Sequence, residues 1–319
     1  MWTIAARGAS AHHRARMGAA SIDTPTLSVV LSSGDPWPAL RRALDALHAQ
    51  TTAAGGEIVV AVATRAAIPP DAAEAYPLVR WVEEPGGSVF RLRATALAAC
   101  RAPIVAITED HACVGADWCR RVLAAHAEHP DSAAIGGVVE NGATRTLADR
   151  IGFLIANGPF LAPLQRGAHG AISQQANVSY KRAALPKETA PLGFMVHTFH
   201  EDLRARGAGL RADDRMVVFH VQELSLAGHM AGHFHNGRSI AAFRAARMAA
   251  WMRAIRALAC VALPPVMLTR TLAAIVPKRR FRGSIALGLP LMIWLLCCHA
   301  AGELLGYLAG PGRSPEQVQ

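Results

Sequence analysis

The stretch VAITEDHACVGADW, residues 105–118, decides how the chain is read. An apolar, strand-like run stops at Glu109, Asp110 and His111, and after Gly115 the chain resumes at Ala116-Asp117-Trp118 in a pattern that opens a helix. Two carboxylates and an imidazole set side by side are costly unless positive charge or hydrogen-bond donors lie between them. Open α/β sheets bind ligands at the carboxyl ends of their strands, and the cluster stands at such an end.

Working outward, residues 27–31 (LSVVL) form a short β-branched run, and residues 38–50 place Leu40, Ala43, Leu44 and Leu47 on one helical face. Residues 57–62 and 79–82 are further strand candidates, residues 88–100 and 118–129 read as helices, and residues 134–140 (AIGGVVE) as another strand. This alternation implies an α/β fold: a mixed, Rossmann-like sheet rich in parallel strands and flanked by helices. Residues 141–173 are punctuated by Gly and Pro and resist assignment. Residues 179–184 (SYKRAA) are expected to begin a helix, His200-Glu201-Asp202 to open another that Gly207 stops, and residues 217–220 to form a last short strand.

The 319 residues carry a net charge of +10, are 52% hydrophobic and only 18% charged, and have a positive mean hydropathy. That balance suits an anionic partner and a chain that partly meets lipid. With 6% aromatic residues and no RNP-like or helix-turn-helix pattern, nucleic acid ranks below a membrane or a phosphorylated substrate. The six cysteines show no C-x-x-C pair and read as reduced thiols.

The chain changes character towards its far end. Residues 257–269 are apolar but short and broken by Pro264-Pro265, whereas residues 283–302 are long enough to cross a bilayer. Between them lies the basic run Lys278-Arg279-Arg280-Phe281-Arg282, expected to face the cytoplasm. The expected organisation is a disordered extension over 1–24, a catalytic domain over 25–240, an interfacial segment over 241–282, a membrane helix over 283–310 and a flexible tail over 311–319. The protein would then be membrane-associated, with its catalytic domain on the cytoplasmic side.

Over residues 25–240 the order of features resembles a family 2 glycosyltransferase with a GT-A fold, of the membrane-associated bacterial type. In that family a strand ends in Asp-x-Asp and a Pro-Asp-aromatic helix start follows; here Glu109-Asp110-His111 and Ala116-Asp117-Trp118 stand in those places. The resemblance implies a nucleotide-diphosphate sugar as donor and a divalent cation, Mn2+ or Mg2+, held by His111 and Glu109 against the pyrophosphate, with Asp110 able to substitute for either. An imidazole among the ligands favours Mn2+. Alone, the motif is equally explained by Glu109 capping a turn and His111 as a half-buried polar residue; its placement after a buried strand favours the functional reading.

The resemblance also assigns Asp202 as the base that takes the acceptor hydroxyl's proton in an inverting displacement, with Glu201 orienting it. Arg93, in the helix after Gly86-Gly87-Ser88, and Arg238 join Glu109 and Asp110 in donor binding; Asn177, Arg182 and Trp118 fall on the acceptor side. The His229, His233 and His235 run has a zinc-like spacing that no nearby Cys or acid completes. Two departures matter. The acidic pair after the second strand is replaced by EIVVAVATRA, residues 57–66, and the Gln-x-x-Arg-Trp signature of processive synthases is missing, which implies one sugar per encounter. The implied acceptor is a lipid-linked or cell-surface glycan, as in cell-envelope polysaccharide assembly. The competing class is a degenerate GT-A module that binds nucleotide or scaffolds a membrane assembly without catalysis.

Overall fold

The computed structural model describes residues 24–168 and 171–318. All of the 1–24 extension except Thr24 lies outside the described residues. The strands are β1 (Leu27–Ser33), β2 (Glu57–Val62), β3 (Val79–Glu83), β4 (Ile104–Glu109), β5 (Ala112–Val114), β6 (Ser132–Asn141), β7 (Gly167–Ala168), β8 (Val178–Lys181) and β9 (Gly209–His220). They form one mixed sheet in the order β3-β2-β1-β4-β8-β6-β9-β5, with β7 added to β9. The β3-β2-β1-β4 portion is parallel. On the other side of β4, β8 runs antiparallel to both β4 and β6, and β6 pairs with β9 in parallel.

Helices α1 (Trp37–Ala53), α2 (Ala72–Ala75), α3 (Val89–Ala99), α4 (Trp118–Glu128), α5 (Leu147–Asn157) and α6 (Val196–Ala205) flank the sheet. Leu40, Leu44 and Leu47 of α1 and Trp118 and Val122 of α4 share one core layer with Val29, Leu31, Ile58 and Val60. Val30, Val59 and Ile107 face the other layer, with Leu92 of α3 and Phe199 and Leu203 of α6. Successive residues of a strand point to opposite faces, so near-continuous apolar runs such as LSVVL and EIVVAV supply both layers.

Three local expectations change. Residues 178–181 are strand, and the following 182–184 make a single 3-10 turn, because Ser179 and Tyr180 are clamped between β4 and β6; pairing on both edges overrides the helical propensity of the KRAA that follows. Helix α6 begins at Val196, so Glu201 and Asp202 sit in its second half with no acid in the first turn; Val196, Phe199, His200 and Leu203 form its buried face at helical spacing. The last strand is twelve residues long rather than four. Within the unassigned stretch, α5 starts at a reciprocal cap in which Thr146 Oγ accepts from Asp149 N and Asp149 accepts from Thr146 N.

Helices α7 (Leu226–Ala245), α8 (Ala250–Ala259), α9 (Leu263–Ile275) and α10 (Arg282–Ala309) complete the chain. Two stretches, Ala250–Lys278 and Arg282–Ala309, are long and apolar enough to cross a membrane, with 17% and 39% of their most apolar windows buried in protein. The more buried one, α10, lies along the domain. Met292, Leu295 and Leu296 share a core with Ile151, Phe153 and Leu154, while Gly302 and Gly306 let its backbone meet that of α7 at Phe234 and Arg238. The basic run is docked too: Lys278 Nζ donates to the carbonyls of Pro159, Leu161 and Pro163, and Arg280 pairs with both oxygens of Glu140 at 2.8 Å. Trp251, Ile255, Leu258, Val261, Leu287 and Trp294 remain exposed.

Candidate functional site

Strand order reverses at β1, whose neighbours β2 and β4 carry the chain away in opposite directions, and a crevice opens at the carboxyl ends of β1 and β4. A cavity of about 290 Å³ sits there, lined by Ser32 to Asp35 at the end of β1, Gly87 and Ser88 before α3 with its Val89, Leu92 and Arg93, and Glu109, Asp110 and His111 at the end of β4.

Asp110 stitches the two strand ends together. Its Oδ2 accepts from Ser33 Oγ at 2.9 Å, Gly34 N at 3.1 Å and Asp35 N at 3.0 Å. Burial would raise its pKa, but the hydrogen bond and charge of His111 and the donors of the β1 loop hold it low. Its outer oxygen faces His111 Nδ1 at 3.1 Å, beside Asp35 Oδ2 at 2.8 Å, while His111 Nε2 points to Glu109 Oε2 at 3.5 Å. Burial alone would lower the His111 pKa; Asp110, Asp35 and Glu109 outweigh it and hold the ring as an imidazolium. This answers the cost of packing acids at a strand end: the imidazolium is the positive charge between them.

His220, the last residue of β9, brings Nε2 to 3.4 Å from Glu109 Oε2, and its ring meets that of His111 edge-on at 4.8 Å. Burial and the neighbouring His111 charge push its pKa down against the pull of Glu109, so it is neutral. Burial would also raise Glu109, but hydrogen bonds and charge from His111 and His220 keep it a carboxylate. Two sets of donor atoms are close enough to share one ion: Glu109, His111 and His220, and Asp35, Asp110 and His111. Mixed carboxylate and imidazole donors fit a borderline divalent ion such as Mn2+, and binding would release the His111 proton.

Arg93 forms part of the cavity wall and is almost wholly buried. Its Nη1 donates to Phe194 O at 3.4 Å, but its Nε has no partner among the described residues. A desolvated guanidinium with a spare donor, set in the field of Glu109 and Asp110, suits an anion bound together with a cation.

The other residues singled out in the sequence are placed elsewhere. Trp118 and Asn177 are fully buried: Trp118 Nε1 donates to Asn177 Oδ1 at 2.8 Å, and Asn177 Nδ2 donates to the carbonyls of Val138 and Met216. They brace the point where the β6–β9 register shifts. Arg182 lies at the opposite end of β4 from Glu109, donating to Arg101 O. Arg238 donates to Gly310 O. The 229–235 histidines diverge, His229 to Asp149 at 3.2 Å and His235 to Ser314 at 2.9 Å.

Asp202 lines a second cavity, of about 430 Å³, with Phe194, Thr198, Phe199, Arg206 and Arg247. Its carboxylate pairs with Arg247 at 2.7 Å, an exposed contact. Glu201 turns the other way, to Arg244 at 2.6 Å and His197 at 3.3 Å. Burial would raise the Glu201 pKa, but those partners push it down to about 2. The two cavities back onto one seam, where Phe194 N donates to Phe90 O and its carbonyl receives Arg93. Asp35 and His220, not singled out in the sequence, complete the first site; their only sequence signal is a polar residue directly after, or at the end of, a strand.

No protein-family model and no curated protein matches the chain. Among solved structures it is similar to the mannosyltransferase PcManGT from Pyrobaculum calidifontis in complex with GDP-Man and Mn2+, at 17% sequence identity and a TM-score of 0.54. The likeness covers 90% of this chain and 88% of that one, more than the sheet and its flanking helices account for. The fold expected from the sequence is therefore shared with a glycosyltransferase, C-terminal helices included.

Proposed function

We propose that the chain is a family 2-like glycosyltransferase that moves one sugar, with inversion, from a nucleotide-diphosphate donor to a hydroxyl or phosphate acceptor on a lipid-linked or cell-surface glycan. The observation that carries this reading is the cavity at the β1–β4 switch point, where Asp35, Glu109, Asp110, His111 and a desolvated Arg93 converge and His220 completes the candidate cation cluster. Glu109, His111 and His220 would hold a divalent cation, which would supply positive charge against the pyrophosphate as charge moves onto the leaving group. Arg93 binds a phosphate oxygen through its free Nε. The shared fold and the GDP-Man and Mn2+ of the mannosyltransferase support a donor and a cation of this kind.

Asp202 is the proposed base. Glu201 is held by Arg244 and His197 and its pKa of about 2 makes it a poor proton acceptor, whereas Asp202 borders a cavity large enough for part of an acceptor. The exposed apolar faces of α8 and α10 and the exposed Arg279 and Arg282 support work at a membrane, on its cytoplasmic side. A second, non-catalytic reading is favoured by one fact: Asp202 borders a different cavity from the cation cluster.

One experiment separates them. Binding of GDP- and UDP-sugars is measured by thermal shift with Mn2+ and with EDTA, and transfer is measured for Asp202→Asn. We expect EDTA to abolish donor binding, Glu109→Gln and His220→Ala to weaken Mn2+ about 10–100-fold, and Asp202→Asn to lower turnover by roughly two to four orders of magnitude at unchanged donor affinity. Binding without any turnover in the wild type establishes the non-catalytic module. No Mn2+-dependent nucleotide binding rejects both.

A further inference from the structure

The 311–318 segment, expected as a flexible tail, folds back over the first cavity. Ser314 and Pro315 are buried, Ser314 Oγ bonds His235 Nδ1 at 2.9 Å, and Arg238 Nε donates to Gly310 O at 2.9 Å. Gly312, at φ +50°, lies flat on the Arg238 guanidinium, where a Cβ would come within 2.5 Å of Nη2. Beyond this anchor Glu316, Gln317 and Val318 line the cavity, and Val318 packs against the cluster of Phe90, Met195, Ile240 and Phe243.

The cavity lining has two chemically different parts. One is the cation cluster with Arg93. The other includes Ala63, Gly87, Val89, Leu92 and Val318, apolar or bare backbone. Ser33 is committed to Asp110, and Ser88 caps α3 by accepting from Arg91 N. Glu316, paired with Arg313 at 3.3 Å, and Gln317 add polar side chains to that lining besides Ser32.

Resting on the reading of this cavity as the donor site, we infer that residues 316–318 form its nucleoside-facing wall, with the Gln317 carboxamide contacting the nucleoside while the cluster and Arg93 hold the pyrophosphate. A carboxamide offers both donor and acceptor, and a site built to hydrogen-bond a ligand loses much of its affinity when that group is removed. The wall is held by α7 through His235 and Arg238, which gives Arg238 a positioning role at a distance from the phosphates.

The test uses the full chain and four probes: Mn2+ with GDP, UDP or inorganic pyrophosphate, and amide hydrogen exchange without ligand. Gln317→Ala should weaken GDP or UDP about tenfold and leave pyrophosphate unchanged. Gly312→Val, which cannot seat on Arg238, should do the same and speed exchange over residues 87–92 about tenfold; Val318→Asp is the second undocking variant. If the wild type binds nucleoside diphosphates and the variants bind them equally well, or lose pyrophosphate in the same proportion, the wall is overturned and the proposed function stands. If the wild type binds none of them while undocking still speeds exchange, the donor-site reading fails and the segment's docking on the cavity is established; unchanged exchange overturns that docking as well.

Discussion

His126 and His200 are buried imidazoles that each set Nε2 against a hydroxyl, His126 on Ser179 Oγ at 2.9 Å and His200 on Tyr180 OH at 2.7 Å. Burial pushes His126 down to about 4 and His200 down to about 3, with positive neighbours adding to it. The unfolded chain takes up protons near pH 6.5 that the folded chain refuses, so their stabilisation is present above pH 6.5 and is lost as pH falls towards 4 and 3. Each should contribute about 1.4 kcal/mol per pH unit in that window. Denaturant unfolding of His200→Gln at pH 6, 5 and 4 should therefore show a slope shallower by about that amount, and an unchanged slope would mean that His200 already carries a proton. At the same scale, His111 was legible because the strand before it is apolar and the helix after it is marked. Asp35 and His220 were not. Their proximity is made by β1 pairing with β4 and β5 pairing with β9, and no spacing in the chain encodes a contact across a sheet.

Elements built from their own periodicity were the legible ones: α1, α3 and α4 show their buried faces in sequence, and β1, β2 and β4 their apolar runs. β8 was not, because its four residues are strand by virtue of two partners and not of composition. The pairing of α7 with α10 was equally hidden, since both helices are small-residue rich and the contact is made by absent side chains. A Cβ on Gly302 would lie 2.0 Å from Phe234 O, and one on Gly306 would lie 2.5 Å from Arg238 O. Gly302→Val should thus force the helices apart and destabilise the fold by about 1–3 kcal/mol. Calorimetry would show it as a lower melting temperature, and a wild-type value would mean that α10 can shift along α7 without cost. The crossing also carries charge. Arg244 joins Glu201 of α6 at 2.6 Å to Glu303 of α10 at 3.6 Å, so an element expected to be lipid-facing is tied by an ion network to the acidic pair of α6.

For the whole molecule, most of the large exposed apolar side chains lie on α8 to α10. Val261 is 84% exposed, and Leu258 and Leu287 are each 77% exposed, while Lys278 and Arg280 of the intervening turn are spent on the domain's own carbonyls and Glu140. With those two charges engaged, hydrophobic insertion should dominate over attraction to anionic headgroups. The protein should sediment with membranes and stay there in 1 M salt, on the order of a 3 Å screening length, yet be released by mild detergent. Release by salt alone would leave electrostatic attachment as the whole of the interaction. The strap over the cavity has a consequence for biosynthesis. Glu109 leaves the ribosome long before Val318, and at roughly 5–20 residues per second the interval is on the order of ten to forty seconds. Through that time the nascent sheet can collapse and gather its acidic cluster, but the cavity stays open on its nucleoside side. On the proposed function, a donor would meet a finished pocket only after translation has reached residue 318, which would delay competence until the apolar helices α8 to α10 have been made.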